Sequence, residues 1–383
     1  MKISILASTK PEYKLSKEEA MKFGGKSAGI CYMPDDINTL FSEPEEKTIK
    51  RANMTLNSGH HSVFDHTTYN LALEGIPKII AMILNNEGMY TTSEKSARYT
   101  KMTPSEREEK LYEKWIEIYK TEIFKQYPEI DEKRAKKLAQ ENARYLISVF
   151  TPATTMEYTV SLRQLNYIVH WFEDYIKNEP DTEFNIQLKP YLQQFIDNVA
   201  EYVIPELNSD VKMRKISLFD DRKNRKEEFG ENYCTTYEGT FAELAQAQRH
   251  RTLQYKMQLL DNAKFYVPKI IEENNELKQE WLNDINSLAD LYPQGMLIKI
   301  NERGTAENFV LKCKERICGC AQLEIMNQTY DILQKYIENT KDSNEDVYNY
   351  LLPYSKGARC TYPGFKCTSP CAWGAKNSLT RKI

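Results

Sequence analysis

The sequence predicts an α+β fold in which helix dominates, and three observations carry that expectation. Glycine is scarce, with 14 in 383 residues. Long stretches place apolar residues three and four apart, as a helix with one buried face requires: Glu106 to Phe124, Tyr191 to Ile204 and Glu272 to Leu291. Strand-like runs are short, as in Ile3 to Leu6 and Met296 to Ile300.

Domains commonly hold ~100–200 residues, so this length predicts two. The charged, breaker-containing stretch around Asn208 to Asn232 is the best boundary. It leaves a first domain of 1–207, a linker of 208–232 and a second domain of 233–383. A weak repeat crosses that boundary. Leu73-Glu74-Gly75 opens a helix-like segment to about Leu84, and Tyr237-Glu238-Gly239 opens another to about Arg251. A period of roughly 160 residues implies duplicated domains rather than a solenoid.

Composition narrows the function classes. Hydrophobic residues make up 41% of the chain, ample for packed cores. Lys and Arg number 52 against 55 Asp and Glu, a net charge of −3, which gives no general pull toward nucleic acid or anionic membrane. An anionic ligand must be caught by a local arginine cluster. The most apolar run, Gly75 to Leu84, contains Pro77 and Lys78 and is too short to span a bilayer. The N-terminal stretch has Lys2 and Lys10 but no apolar core for a secretory signal, so the expected location is cytoplasmic. The eight cysteines then read as reduced thiols.

Several motifs fail. Gly24-Gly25-Lys26-Ser27 resembles the end of a P-loop, but Ala20 stands where the first glycine belongs. No G-x-G-x-x-G follows a strand. His60, His61 and His66 lack partners at metal-ligand spacing, so they read as hydrogen-bonded loop histidines and no metal is expected. Cys318, Cys320, Cys360, Cys367 and Cys371 match no recognised zinc pattern and read as ordinary reduced thiols, with a zinc or redox role as the alternative.

Other motifs carry chemistry. In Gln246-Ala247-Gln248-Arg249-His250-Arg251, Gln246 and Arg249 share a helical face. Two guanidiniums and an amide can fork around phosphate or a uracil edge. By themselves these residues read equally as a solvated basic helix end. Ser93-Glu94-Lys95-Ser96-Ala97-Arg98-Tyr99 suits a phosphate dianion. The remaining segments are Gly59-His60-His61-Ser62-Val63-Phe64-Asp65-His66, Ala143-Arg144-Tyr145-Leu146, Thr159 to Leu165, and Glu315-Arg316 followed by Ala321-Gln322-Leu323-Glu324-Ile325.

Together and in this order, from about Gly59 to the C-terminus, these segments resemble the flavin-dependent thymidylate synthases. That family shows GHxSxFEH, QxxRHR, ESxRY, ARxxLP, TxNxR and R-x4-AQxEI segments. The resemblance is split between the halves. The first half keeps GHHSVFDH, SEKSARY, ARYLIS and TVSLRQL, but has Asn85-Asn86-Glu87-Gly88 where RHR belongs. The second keeps QxxRHR and R-x4-AQLEI, but has Met257-Gln258-Leu259-Leu260-Asp261 where ESxRY belongs.

The resemblance implies two fused family-type domains, each helix-rich with a mixed sheet, forming a pseudo-dimer with one composite site. Two chains would then make a pseudo-tetramer. It implies methylation of dUMP to dTMP, with FAD bound and NADPH and methylene-tetrahydrofolate as co-substrates. By position, Gln246 and Arg249 face dUMP, while Ser96, Arg98 and Arg144 hold its phosphate. Arg316 stabilises the anionic uracil. Arg249, His250, Arg251, Ser62 and Glu94 contact FAD, and Ser161 departs from the family's asparagine. A related nucleotide such as UMP, a hydroxymethyl product, or an inactive flavin- or nucleotide-binding scaffold are the alternatives.

Overall fold

The structure, a computed structural model, describes residues 1–8, 15–30, 39–40, 42–96, 100–210, 214–220, 226–368 and 370–383. Contacts gather the chain into two compact units, Met1–Lys95 with Pro152–Ser217, and Ser96–Thr151 with Leu218–Ile383. These units are not the linear halves. The excursion 96–151 leaves the first half and packs with the second, because its helices bury their aromatic faces there.

The first unit is built on an antiparallel sheet of β1 (Lys2–Ser8), β2 (Thr68–Ile76), β3 (Tyr90–Glu94) and β4 (Thr154–Ser161), in the order β1-β2-β4-β3. Alternation sets its inner face: Tyr69, Leu71 and Leu73 of β2 and Met156, Tyr158 and Val160 of β4 are essentially buried. Around it lie α1 (Lys17–Ile30), α2 (Glu45–Asn57), α3 (Lys78–Leu84), α6 (Leu162–Asn178) and α7 (Glu183–Val199). The helices α4 (Glu106–Gln126) and α5 (Glu132–Ala143) belong to the excursion.

The glycines of the failed phosphate loop have a packing role in α1. A Cβ on Gly25 would lie 2.5 Å from the Thr48 carbonyl and 2.9 Å from the Ala52 Cβ, both on α2. Arg51 reaches across from α2 to the Gly25 carbonyl at 3.0 Å while its fork holds Glu43 at 2.7 Å.

The second unit holds β5 (Glu228–Phe229), β6 (Asn232–Thr240), β7 (Gln254–Leu259) and β8 (Leu297–Thr305), in the order β5-β6-β8-β7. Its further helices are α8 (Phe241–Ala247), α9 (Asn275–Asn286), α10 (Ala306–Arg316), α11 (Leu323–Thr340) and α12 (Glu345–Leu351). Trp115 and Tyr119 of α4 meet Trp281 of α9 in one cluster, where Trp115 lies edge-on to Trp281 at 4.9 Å. The Trp115 indole donates to Asp284 at 2.8 Å, so burial costs no hydrogen bond.

The two sheets share one strand order, with a short helix after the second strand and long helices after the fourth, but α1 and α2 stand between β1 and β2 whereas β5 runs directly into β6. Several sequence boundaries shift. The triplets Leu73-Glu74-Gly75 and Tyr237-Glu238-Gly239 are strand ends, not helix starts, and the helices begin after Pro77 and the Thr240 cap. The sheets are antiparallel in every pairing rather than mixed. The predicted helix at Tyr191 begins at Glu183 and includes Pro190. The Glu272–Leu291 stretch is broken by a cap at Asn274.

Gly25→Ala should cost about 1–2 kcal/mol net. Overpacking against a backbone carbonyl outweighs the ~1 kcal/mol of helix propensity that alanine adds. Urea denaturation checks this against Gly230→Ala, whose Cβ would meet only Asn232 O at 4.0 Å.

Candidate functional site

The strand-to-helix turn at Thr240 begins the site. Thr240 caps α8, accepting from the Glu243 N–H at 3.0 Å, and its own hydroxyl donates to Glu324 at 2.8 Å. The Thr240 N–H adds a bond to the same carboxylate at 3.0 Å. Tyr145, which follows α5, donates its hydroxyl to Glu324 at 2.7 Å. A carboxylate thus lies buried under three donors. Burial raises the Glu324 pKa, and the bonds from Tyr145 and Thr240 oppose that rise.

Because the Tyr145 proton goes to Glu324, its oxygen accepts, and it accepts from the Gln322 amide nitrogen. That fixes Gln322's carbonyl on the other side, where it accepts from both Arg144 and Gln246. Arg316, at the end of α10, donates to the Gln246 backbone carbonyl at 2.6 Å. Arg144, Gln246, Arg316 and Gln322 are all less than a tenth exposed. With its NH₂ engaged, Gln246 keeps a buried side-chain carbonyl that has no hydrogen-bond partner in the protein.

Beyond Gln246 the chain tightens into a 3-10 turn, Gln248–His250, and ends on Arg251 in the left-handed region at φ +57°. Gln246 and Arg249 therefore do not continue one helix; α8 stops at Ala247. The His250 ring is half-buried, its pKa drawn down to about 3 by burial first and then by the cations of Arg316, Lys312 and Arg249. It is neutral at pH 7, and its buried Nε2 has no hydrogen-bond partner.

Beneath the site lies a second polar layer. Glu302 takes an inward place in the alternation of β8 and pairs with Lys312 of α10 at 2.5 Å, both side chains fully buried. Tyr233 donates to Glu302 at 3.0 Å, and Tyr237 shares its hydroxyl between Glu302 and Glu243 at 3.2 Å each. Burial first, then the neighbouring Glu324, raises the pKa of the Glu243 carboxyl. Gly239 makes room for it, since a Cβ there would lie 1.9 Å from Glu243 Oε2.

The structure thus unites Arg144 of the first half with Gln246 and Arg316 of the second, and sets Arg249 and His250 beside them. Ser96 lies in the same unit, its carbonyl accepting from Thr100. Arg98 falls outside the described residues. Ser62 and Glu94 lie in the other unit. Ser62 is exposed on the turn His61–Asp65, whereas Glu94 is buried against Lys78 at 2.5 Å and is not open to a ligand in this arrangement.

The Gly59–His66 motif is tied to the Thr159–Leu165 segment. Asp65 accepts from Ser161 at 2.7 Å and pairs with Arg163 at 3.0 Å, and the buried His61 ring meets the Leu56 carbonyl at 2.9 Å. Among the described residues, no three His, Cys, Asp or Glu side chains are placed to hold a metal ion, and no helix is long and apolar enough to cross a membrane.

Sequence reasoning missed Gln322, Tyr145, Glu324 and Thr240 as site residues, and the Glu302–Lys312 pair. Gln322 and Glu324 stood inside a quoted motif. Thr240 could have been found as a cap before Glu243, but nothing local marks Glu302 as inward-facing and paired.

Comparison with known proteins defines the class. The chain belongs to the family described as Thymidylate synthase complementing protein, whose match covers residues 16–216. It is 28% identical over 92 residues to a flavin-dependent thymidylate synthase of Clostridium tetani (strain Massachusetts / E88), covering 24% of this chain and 36% of that protein. It is 26% identical over 156 residues to one of Thermococcus onnurineus (strain NA1), covering 37% and 62%. The matched span is therefore under two thirds of either relative.

Among solved structures, a Helicobacter pylori flavin-dependent thymidylate synthase complexed with FAD and dUMP superposes with a TM-score of 0.31 at 14% identity, over 55% of this chain and all of that one. A UMP/dUMP methylase from Streptomyces cacaoi bound with 5-Br dUMP gives 0.34 at 14% identity, over 54% and 93%. The family match ends at residue 216, before the Gln246–Arg251 and Arg316–Ile325 segments of the polar cluster.

Two outcomes test this geometry. Gln322→Met keeps the side-chain volume but strands Arg144, Gln246 and Tyr145, and should cost about 1–3 kcal/mol in urea denaturation. His250 supplies a pH test. Its folded pKa lies below the unfolded value near 6.5, so its contribution is intact above pH 6.5. It fades as pH falls toward 3, because only the unfolded chain takes up the proton. From pH 7 to pH 5 the native protein should lose about 1–2 kcal/mol more than His250→Gln.

Proposed function

We propose that the chain is a flavin-dependent thymidylate synthase, methylating dUMP to dTMP with methylene-tetrahydrofolate as carbon donor and NADPH as reductant. The observation that carries this reading is the single buried cluster joining Arg144, Gln246 and Arg316. Arg144 comes from a motif that the first half keeps, and Gln246 and Arg316 from motifs that the second half keeps. Family membership and the flavin-dependent relatives support the same chemistry.

The residues present fit an anionic pyrimidine nucleotide. A buried guanidinium stabilises negative charge developing on the uracil ring better than water does, because the site is dry and already oriented. Arg316 is placed for that role. It stays cationic, so it stabilises the ring anion rather than removing a proton. The open carbonyl of Gln246 accepts from a ring N–H, which suits uracil. Arg249 faces the nucleotide, and Arg144 holds the phosphate side with Ser96 and Arg98. Arg249, His250 and Arg251 would hold FAD. FAD, when bound, supplies the hydride transfer; the protein orients the partners and excludes water.

In this reading the chain is a tandem duplication of 1–207 and 233–383 joined by 208–232. The identical strand orders of the two sheets support it. The composite site forms within one chain, and two chains assemble as a pseudo-tetramer.

The experiment is the absorbance spectrum of the purified protein, then anaerobic NADPH addition with and without dUMP, with product identified by mass spectrometry. Bound flavin, bleaching that depends on dUMP, and dTMP as product are expected. UMP turnover or a hydroxymethyl product would redirect the substrate assignment, and a protein that cannot be loaded with FAD would overturn the reading. In the active enzyme, Arg316→Lys should lower kcat about 100-fold or more with flavin content retained, as loss of one preorganised charge-stabilising donor does elsewhere.

A further inference from the structure

Within the second unit, α5, the turn from α10 to α11 and the C-terminal tail together enclose a cavity of about 170 Å³. Arg134, Lys137, Leu138 and Glu141 line it from α5, and Trp373, Arg381 and Ile383 from the tail. The turn contributes residues 319–323, among them Gln322. Among the described residues, Arg144, Gln246 and Arg316 are not in its wall. The cavity is therefore distinct from the nucleotide cluster and meets it only through Gln322.

The tail is pinned where it lines the cavity. Arg381 donates to the Ala321 carbonyl at 2.6 Å, and its guanidinium lies over the Trp373 ring at 5.5 Å. Trp373 in turn meets Tyr127 edge-on at 5.0 Å, and the Lys382 N–H donates to the Tyr127 hydroxyl at 2.8 Å. Walls tied to one another in this way form a pocket before any guest arrives, so little ordering cost is left to binding.

The wall's chemistry selects the guest. Arg381 is 4% exposed, and its Nε has no hydrogen-bond partner in the protein. A guanidinium stays charged when buried, so an open N–H on it calls for an anionic acceptor. Arg134 and Lys137 add two cations, against the one acidic side chain of Glu141. Cations remain in excess even when a carboxylate on Ile383 is counted. Leu138, Leu323 and Trp373 supply apolar surface beside them. A cavity of ~150 Å³ holds benzene, so this one takes a body of about that size with one charged group. A single buried donor suits a carboxylate, whereas a phosphate dianion would carry oxygens inward without partners.

We infer that this cavity binds a small organic carboxylate with an apolar body of about benzene size. Arg381 holds the carboxylate, with Arg134 and Lys137 adding charge, and the body packs against Trp373 and Leu138. The guest is distinct from the nucleotide, and its site is complete within the second unit.

The test titrates the full-length protein at pH 7 into 4-fluorobenzoate, followed by fluorine NMR. The uncharged 4-fluorobenzamide serves as a probe of the same shape. Saturable binding of the acid with a Kd of about 1 mM or tighter is expected for a guest of roughly ten atoms. The amide should bind at least about tenfold more weakly, because it brings no charge to the guanidinium. A joint Arg134→Ala, Lys137→Ala variant should weaken the acid about tenfold. Leu138→Trp fills the cavity while leaving every charge in place, and should abolish saturable binding.

Equal affinity for acid and amide, or binding that survives Leu138→Trp, would overturn the proposal. If Leu138→Trp fails to fold, the double variant decides: Arg134 and Lys137 are only half-buried, and unchanged affinity there rejects the site. Phenyl phosphate competing as strongly as the carboxylate would overturn the choice of ligand class. Saturating dUMP should leave the probe bound, whereas complete displacement would place the probe in the nucleotide cluster and reject a separate site. None of these readouts requires turnover, so this result and the methylation assay stand or fall separately.

Discussion

The site depends on one buried carboxylate and the direction it imposes on its neighbours. An ionised carboxylate only accepts hydrogen bonds. Glu324 accepts from the Thr240 N–H, the Thr240 hydroxyl and Tyr145. Tyr145 must then accept from Gln322, Gln322 must turn its carbonyl to Arg144 and Gln246, and Gln246 is left presenting a carbonyl of its own. Donors and acceptors are thus assigned in sequence starting from Glu324. Such a network is strongest when every member is satisfied, and the Gln246 side-chain carbonyl is a buried acceptor that it leaves open.

The layer below follows the same constraint with charge. Lys312 and Glu302 are both removed from water, a cost of several kcal/mol for each ion that is offset only by close pairing and further hydrogen bonds. The 2.5 Å contact and the hydroxyls of Tyr233 and Tyr237 provide both. Glu243, one turn from Gln246, has its pKa raised chiefly by burial. His250 is neutral chiefly through burial and then through the nearby cations.

Much of the fold was legible. The α4 pattern survives with its ends moved by at most two residues, since Ser105 and Glu108 form a capping box that any reader of the sequence can see. The strand ends at Gly75 and Gly239 were misread as helix starts, because each is followed at once by an apolar helix and short apolar runs look alike in either state. Of the site, Gln246, Arg144 and Arg316 were found through motifs. Gln322 was inside a motif without a role, and Glu302 was invisible because a charged residue at an inward strand position reads as an exposed one until its partner is known.

The sequence by itself determined the helix-rich class, the family resemblance and the complementary sharing of motifs between halves. These are local properties, carried by side-chain spacing and by residue types a few positions apart. Only the tertiary structure decided that the excursion 96–151 packs with the second half, that both sheets share one strand order, and that Arg144 and Gln322, 178 residues apart, share a hydrogen bond. Those outcomes depend on which faces find each other when apolar surface is buried, and on whether each polar group carried inward meets a partner there.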